Sequence, residues 1–295
     1  MTRPIVYVVF ASLLWGTTGT AAFFLGSSLS PLAIGAATMG LGGAILALVG
    51  GRATVALWRS SASRLWLLAG ALGVVVYPLT FYSGMATAGI ALGNVIALGL
   101  GPVTAALLEW WIDKRAPRTV WWIASLSAIA GIAVMSMSKV ELGGGRPGNV
   151  TVGVVLAVVA GLSYGLFTYV FGKLIDHGHS PRAVAGGVFG AGAPILLIVL
   201  GVTAHDVSLG VGQFGIVAYL VLGPMVLAYI AITASLSTLR ASSVATVALL
   251  EPVVATLLAV LVVGELLGPL ALVGIAIVLV SLTLFALSRG AQARA

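Results

Sequence analysis

Runs of roughly twenty apolar residues, parted by short polar joints, follow one another along the whole chain. A helix that crosses a bilayer needs roughly 20 mostly apolar residues. The pattern predicts ten such spans, near residues 4–25, 31–50, 64–85, 91–111, 119–138, 150–174, 181–201, 212–236, 242–263 and 268–288. Turn chemistry marks the joints: Ser27 to Pro31, Gly50 to Arg52, Ala116 to Arg118, Gly143 to Gly148, Ser180 to Pro181 and Gly268 to Pro269. The first run begins directly after Arg3 and could pass for a signal peptide, but it is long enough to span and nine more follow, so it reads as a retained helix. The expected fold is all-α and integral to a membrane, and no loop is long enough to house a soluble domain.

Two of the spans carry copies of one motif. The stretch SSVATVALLEPVVATLLAVLVVGELLGP (242–269) is echoed 150 positions earlier in ALGNVIALGLGPVTAALLEWW (91–111). Between Pro102 and Leu108, five of seven residues recur at Pro252, Val253, Ala255, Leu257 and Leu258. ASLLWG (11–16) likewise aligns with AGLSYG (160–165), placing Trp15 and Tyr164 in matching positions before Gly16 and Gly165. The chain reads as one five-helix unit written twice: residues 1–142, a linker over 143–149, and residues 150–295. Five is odd, so the second unit is expected in inverted orientation. Inverted repeats of this kind typify secondary transporters, with a central site near the midplane where the halves meet.

Composition changes the picture only by removing alternatives. Hydrophobic residues make up 60% of the chain and charged ones 7%, with a mean hydropathy of +1.19. A soluble domain carries about a quarter charged residues. The net charge of +7 is spread singly between apolar runs, with no clustered basic face for nucleic acid. Cysteine is absent, which excludes disulfides and thiolate metal sites. With the N-terminus inside, twelve of the fourteen Lys and Arg residues fall in cytoplasmic segments, leaving Lys139 and Arg146 outside. Trp58, Trp66, Trp110, Trp111, Trp121 and Trp122 flank the first two cytoplasmic loops, at headgroup level. Only Trp15 lies mid-span.

Candidate chemistry is sparse. Glu251 reads as the sole ionisable residue deep inside an apolar span. A charge there is costly by about 2.5–3.5 kcal/mol on insertion scales, so the carboxyl should face protein or water, or stay protonated. It could satisfy backbone donors near Pro252, or handle substrate or protons. Pro78, Pro102, Pro194, Pro224 and Pro252 interrupt helical bonding within spans, and the freed carbonyls can serve a polar solute. For Pro194 kinked packing suffices; for the matched Pro102 and Pro252 a hinge or cavity role is expected, with Gly16, Gly101, Gly165 and Pro224 as further hinge positions. The stripe Gly89, Gly93, Ala97, Gly101 and Ala105 suits close helix packing. Asn94 beside it is either interhelical glue or a ligand. Tyr77, Phe81, Tyr82, Tyr164, Phe167, Phe171 and Tyr229 add aromatic surface that packs or faces lipid unless a cavity opens beside it. His177, His179 and His205 lie in loops, and with Asp176 they make too thin a set for a metal site. No nucleophile, zinc or phosphate-loop motif is present, and nothing calls for a cofactor or an enzymatic reading.

Ten spans in two fives, WG early in the first unit and PVxAxLL ahead of the exit in both, resemble the EamA-type drug/metabolite transporters, and most of all the bacterial YddG-type exporters of aromatic amino acids. The resemblance covers essentially the whole chain, and EPVVATLLAVLVVGELLGP is its most specific stretch. It implies a ten-helix bundle around a cavity lined by spans 1, 3, 4, 6, 8 and 9, in the bacterial inner membrane, with both termini cytoplasmic and a single chain as the working unit. The first copy departs from the commoner Glu-Pro by having Gly101-Pro102. The expected activity is export of aromatic or other large neutral amino acids by alternating access. Trp15, Tyr77, Pro78, Phe81, Tyr82, Asn94, Pro102, Tyr164, Phe167, Tyr229, Ser243 and Glu251 are the expected cavity residues. No Lys or Arg lies deep in a span, which disfavours strongly anionic cargo. Lipophilic cations would want aromatics plus a carboxylate, so multidrug export is the alternative. A scaffold or pore is a further one.

Overall fold

A computed structural model describes residues 3–26, 28–140, 149–205, 207–264, 266 and 268–292. The expected linker therefore lies outside the described residues, apart from Asn149. The first seven spans are α1 (Arg3–Leu25), α2 (Pro31–Arg59), α3 (Ser61–Ala88), α4 (Ile90–Asp113), α5 (Thr119–Val140), α6 (Val150–Asp176) and α7 (Pro181–Thr203). The eighth span is α8 (Val211–Leu220), a π-helical turn (Val221–Leu227) and α9 (Ala228–Ser235). The ninth is α10 (Ala241–Ala248), α11 (Glu251–Leu258) and a second π-helical turn (Ala259–Val263); α12 (Pro269–Gln292) is the tenth. All ten are long and apolar enough to cross a membrane. Large apolar side chains such as Leu48, Leu65, Ile198 and Leu261 face outward, which water would penalise and lipid does not.

Local sequence explains several of these ends. Ser30 and Ser180 cap α2 and α7, each accepting from a backbone N–H three residues on, Ala33 at 3.1 Å and Ala183 at 3.4 Å. A proline follows each cap at the first helical position, where its missing N–H costs nothing. Within α2, Gly51 takes φ +50°, a left-handed conformation that glycine adopts without a Cβ clash, and the chain bends there before Arg59. Hydroxyls inside spans bond back to the preceding turn, as Ser12 does to the Val8 carbonyl at 2.9 Å and Thr168 to that of Tyr164 at 2.8 Å.

The prolines behave unequally. Pro224 sits in the first π-helical turn, consistent with the bond it cannot donate. In the ninth span the helix divides at Leu249–Leu250, and Pro252 lies in the first turn of α11. Pro102 lies inside an unbroken α4, so the matched proline does not bring a matched break.

Helix contacts come in equivalent pairs. α2 packs on α7 and α5 on α12, while α6 packs on α3 and α4 as α1 packs on the eighth and ninth spans. Gly16 closes on Val254, and Gly165 on Thr104 and the Gly101 carbonyl. Positions 104 and 254 stand 150 apart, so two short helix approaches occupy equivalent places.

Candidate solute cavity

Near the middle of the bundle, and toward the end away from most Lys and Arg residues, a cavity of about 110 Å³ opens between the spans. Trp15, Tyr77, Pro78, Phe81, Tyr82, Tyr164, Pro224, Tyr229 and Glu251 line it, so most of the expected residues meet here. Span 2 joins the wall through Gly35, Thr38 and Met39, which the sequence did not mark. Phe167 lies one layer deeper: it is fully buried, with its ring 5.5 Å from Tyr164 and 5.8 Å from Tyr77. Asn94, Pro102 and Ser243 stand outside the lining. Ser243 borders a different, polar cavity with Trp121 and Arg240.

The wall is a run of rings. Tyr77 stacks on Phe81 at 5.3 Å and meets Tyr164 at 5.7 Å, and Trp15 leans on Tyr229 at 5.2 Å. The matched aromatics Trp15 and Tyr164 both reach the cavity. The Trp15 indole N–H donates to the Pro224 carbonyl at 2.7 Å, which fixes the ring against a carbonyl of the π-helical turn. Below, Phe171 and Phe189 continue the aromatic column with no exposed surface.

Glu251 enters this wall at the first turn of α11, just past the helix division. Among the described residues its carboxylate has neither a hydrogen bond nor a basic partner, and no backbone N–H donates to it. The direct backbone bond that would tie the carboxylate to the break is absent among the described residues. The hydroxyls of Tyr77, Tyr82, Tyr164 and Tyr229 are similarly unengaged among the described residues, and none is walled off from the cavity. In the first half Gly101 holds the position equivalent to Glu251. A Cβ at Gly101 would overlap the Tyr164 ring, so that volume is already filled.

A second buried carboxylate escaped the sequence reading, which had singled out Glu251 alone. Glu109, in α4, is 5% exposed and accepts from the Ser242 backbone N–H at 3.1 Å and the Ser242 hydroxyl at 2.6 Å. Its place beside Trp110 and Trp111 suggested the headgroup level; its bonds tie α4 to α10 instead. At the same end Lys173 pairs with Asp113, and Arg115 with Asp176 at 2.7 Å. That bond raises the pKa of the Arg115 guanidinium above its ordinary value. Charges sixty residues apart carried no signal beyond their sign.

A ten-span bundle around a mid-membrane cavity of rings and one unpaired carboxylate defines a multi-pass membrane transporter. The profile of the EamA-like transporter family matches residues 2–137 and again 151–287, and the chain belongs to that family. It is 32% identical over 285 residues to the uncharacterised transporter YwfM of Bacillus subtilis (strain 168), covering 94% of this chain and 91% of that one. A solved crystal structure superposes with a TM-score of 0.81 at 19% identity, over 97% of each chain, a likeness of fold.

Proposed function

We propose that the chain carries small molecules that join an ammonium group to an aromatic or bulky apolar body. One observation carries this reading: Glu251 lies unpaired among aromatic rings, in a cavity whose wall includes no Lys or Arg. A cation beside a ring face gains up to about 2 kcal/mol when desolvated, and an opposite charge adds to that. Lipophilic amines meet both demands and leave the occupied cavity neutral. The amino acids carried by the exporters that the sequence resembles are the second reading. They share the ammonium, and the four free phenol hydroxyls supply donors for their carboxylate. The cavity is complete within one chain, which supports a single chain as the working unit. In this proposal the basic end faces the cytoplasm of a bacterial inner membrane, both termini lie there, and transport proceeds by rocking of the two halves about the cavity.

Phenethylamine and phenylalanine share one apolar body and differ by a carboxylate, so they separate the two readings. In liposomes holding the purified protein, labelled phenethylamine is expected to cross at least severalfold faster than phenylalanine, and both faster than in empty vesicles. Faster phenylalanine transport would favour the amino-acid reading. Equal leakage of both in protein-bearing and empty vesicles would remove both cargoes.

A further inference from the structure

At the basic end lies a second cavity, of about 160 Å³. The spans that supply Leu98, Tyr164 and Glu251 to the first cavity also build this one, together with the joint that follows the eighth span. Ten residues along the ninth span separate Glu251 from Ala241 at its wall, roughly 15 Å of helix. The buried ring of Phe167 lies along α6 between Tyr164 and Tyr169.

This cavity already holds an ammonium, one that belongs to the chain. Lys173 pairs with Asp113, their side chains 18% and 12% exposed. Its Nζ also lies 5.7 Å from the centre of the Trp66 ring, which meets Tyr169 edge-on at 5.9 Å. An ammonium between a carboxylate and an aromatic face is what the Glu251 cavity offers a cargo. Tyr169 is 1% exposed, and its buried hydroxyl faces the Asp113 carboxylate. The hydroxyl oxygen keeps lone pairs that can accept from an ammonium bound at Asp113.

We propose that this cavity is a second solute site, in which Lys173 stands where a ligand ammonium binds and is displaced from Asp113 by an amine from solution. It rests on the reading of an ammonium cargo above. The exchange is non-covalent and conserves charge: one ammonium replaces another at Asp113, and the flexible Lys173 stem swings its charge toward water and the neighbouring Asp176. Displacement also cuts the tie between α4 and α6, so an amine arriving from the basic end loosens that end as it binds.

Competition and simple bracing predict different signs. If Lys173 competes with the ligand, removing it tightens amine binding while removing Asp113 abolishes it. If the pair only braces the helices, both changes act alike. Equilibrium binding of labelled phenethylamine to the full chain in detergent reads this directly, with Glu251→Gln present throughout to weaken the first cavity. The expected result is a residual binding component that Lys173→Gln strengthens by about tenfold and Asp113→Asn removes. Tyr169→Phe, which deletes only this hydroxyl, is expected to weaken it about threefold. If Asp113→Asn fails to fold, the Lys173→Gln and Tyr169→Phe pair decides. Shifts in the same direction for Lys173 and Asp113, or no change in either Lys173→Gln or Tyr169→Phe, overturn the proposal. Failure of the first-cavity reading shows separately, as wild-type binding that Glu251→Gln leaves unaltered.

Discussion

Replacing Glu251 with Gln is expected to lower phenethylamine transport by about thirtyfold, with the protein folded and correctly inserted. Gln keeps the size of the side chain and removes its charge, so the loss reports the ion pair with the cargo. Removing one partner of a desolvated charge pair costs about 2 kcal/mol or more, which corresponds to that factor. An uncharged aromatic solute should lose little, because the rings that hold its body are untouched. The same variant bears on protons. If Glu251 also exchanges a proton with the cargo, the wild type responds to an imposed pH gradient and the variant does not. Flux by the variant that matches the wild type with and without a gradient would remove Glu251 from both roles.

A large effect on folding is expected at Gly165. A Cβ there would fall 2.7 Å from the Gly101 carbonyl oxygen and against the Thr104 side chain. The carbonyl is backbone and cannot turn aside, so α6 and α4 must separate. Overpacking of this kind costs about 1–3 kcal/mol, and Val brings two more carbons to the same contact. Gly165→Val should cut the monodisperse yield severalfold and lower the melting temperature. Gly19→Ala is the matched control, since a Cβ at Gly19 meets nothing within 4 Å and should leave both measures unchanged. A Gly165→Val protein as stable as the control would show that the two helices have slack.

Much of the fold was legible because lipid is an exacting solvent. It demands a long apolar run at each crossing, so the expected span at 91–111 falls within Ile90–Asp113 and that at 181–201 within Pro181–Thr203. The Ser-Pro joints announced two helix starts by their capping chemistry. The paired Trp15 and Tyr164 were legible from alignment, since a polar-tipped aromatic before glycine is uncommon enough to recognise twice. Other features leave no such mark. Gly35 and Thr38 line the cavity by virtue of where α2 runs, and neither residue type advertises a wall. Whether a proline breaks its helix depends on neighbours that can take up the strain, so Pro102 and Pro252 share a motif and differ in outcome. Glu109 lies near a span end, where a carboxylate ordinarily meets water; only the approach of Ser242 from a helix 133 residues away buries it.

The Tyr164 ring lying over Gly101 couples what these two positions can hold. A relative with an acid at the position of Gly101 must vacate the space this ring fills. Acid at 101 and a bulky ring at 164 should therefore exclude one another across relatives. The two-carboxylate and one-carboxylate transporters would then be separated by a paired substitution, with no single step between them that leaves the cavity intact.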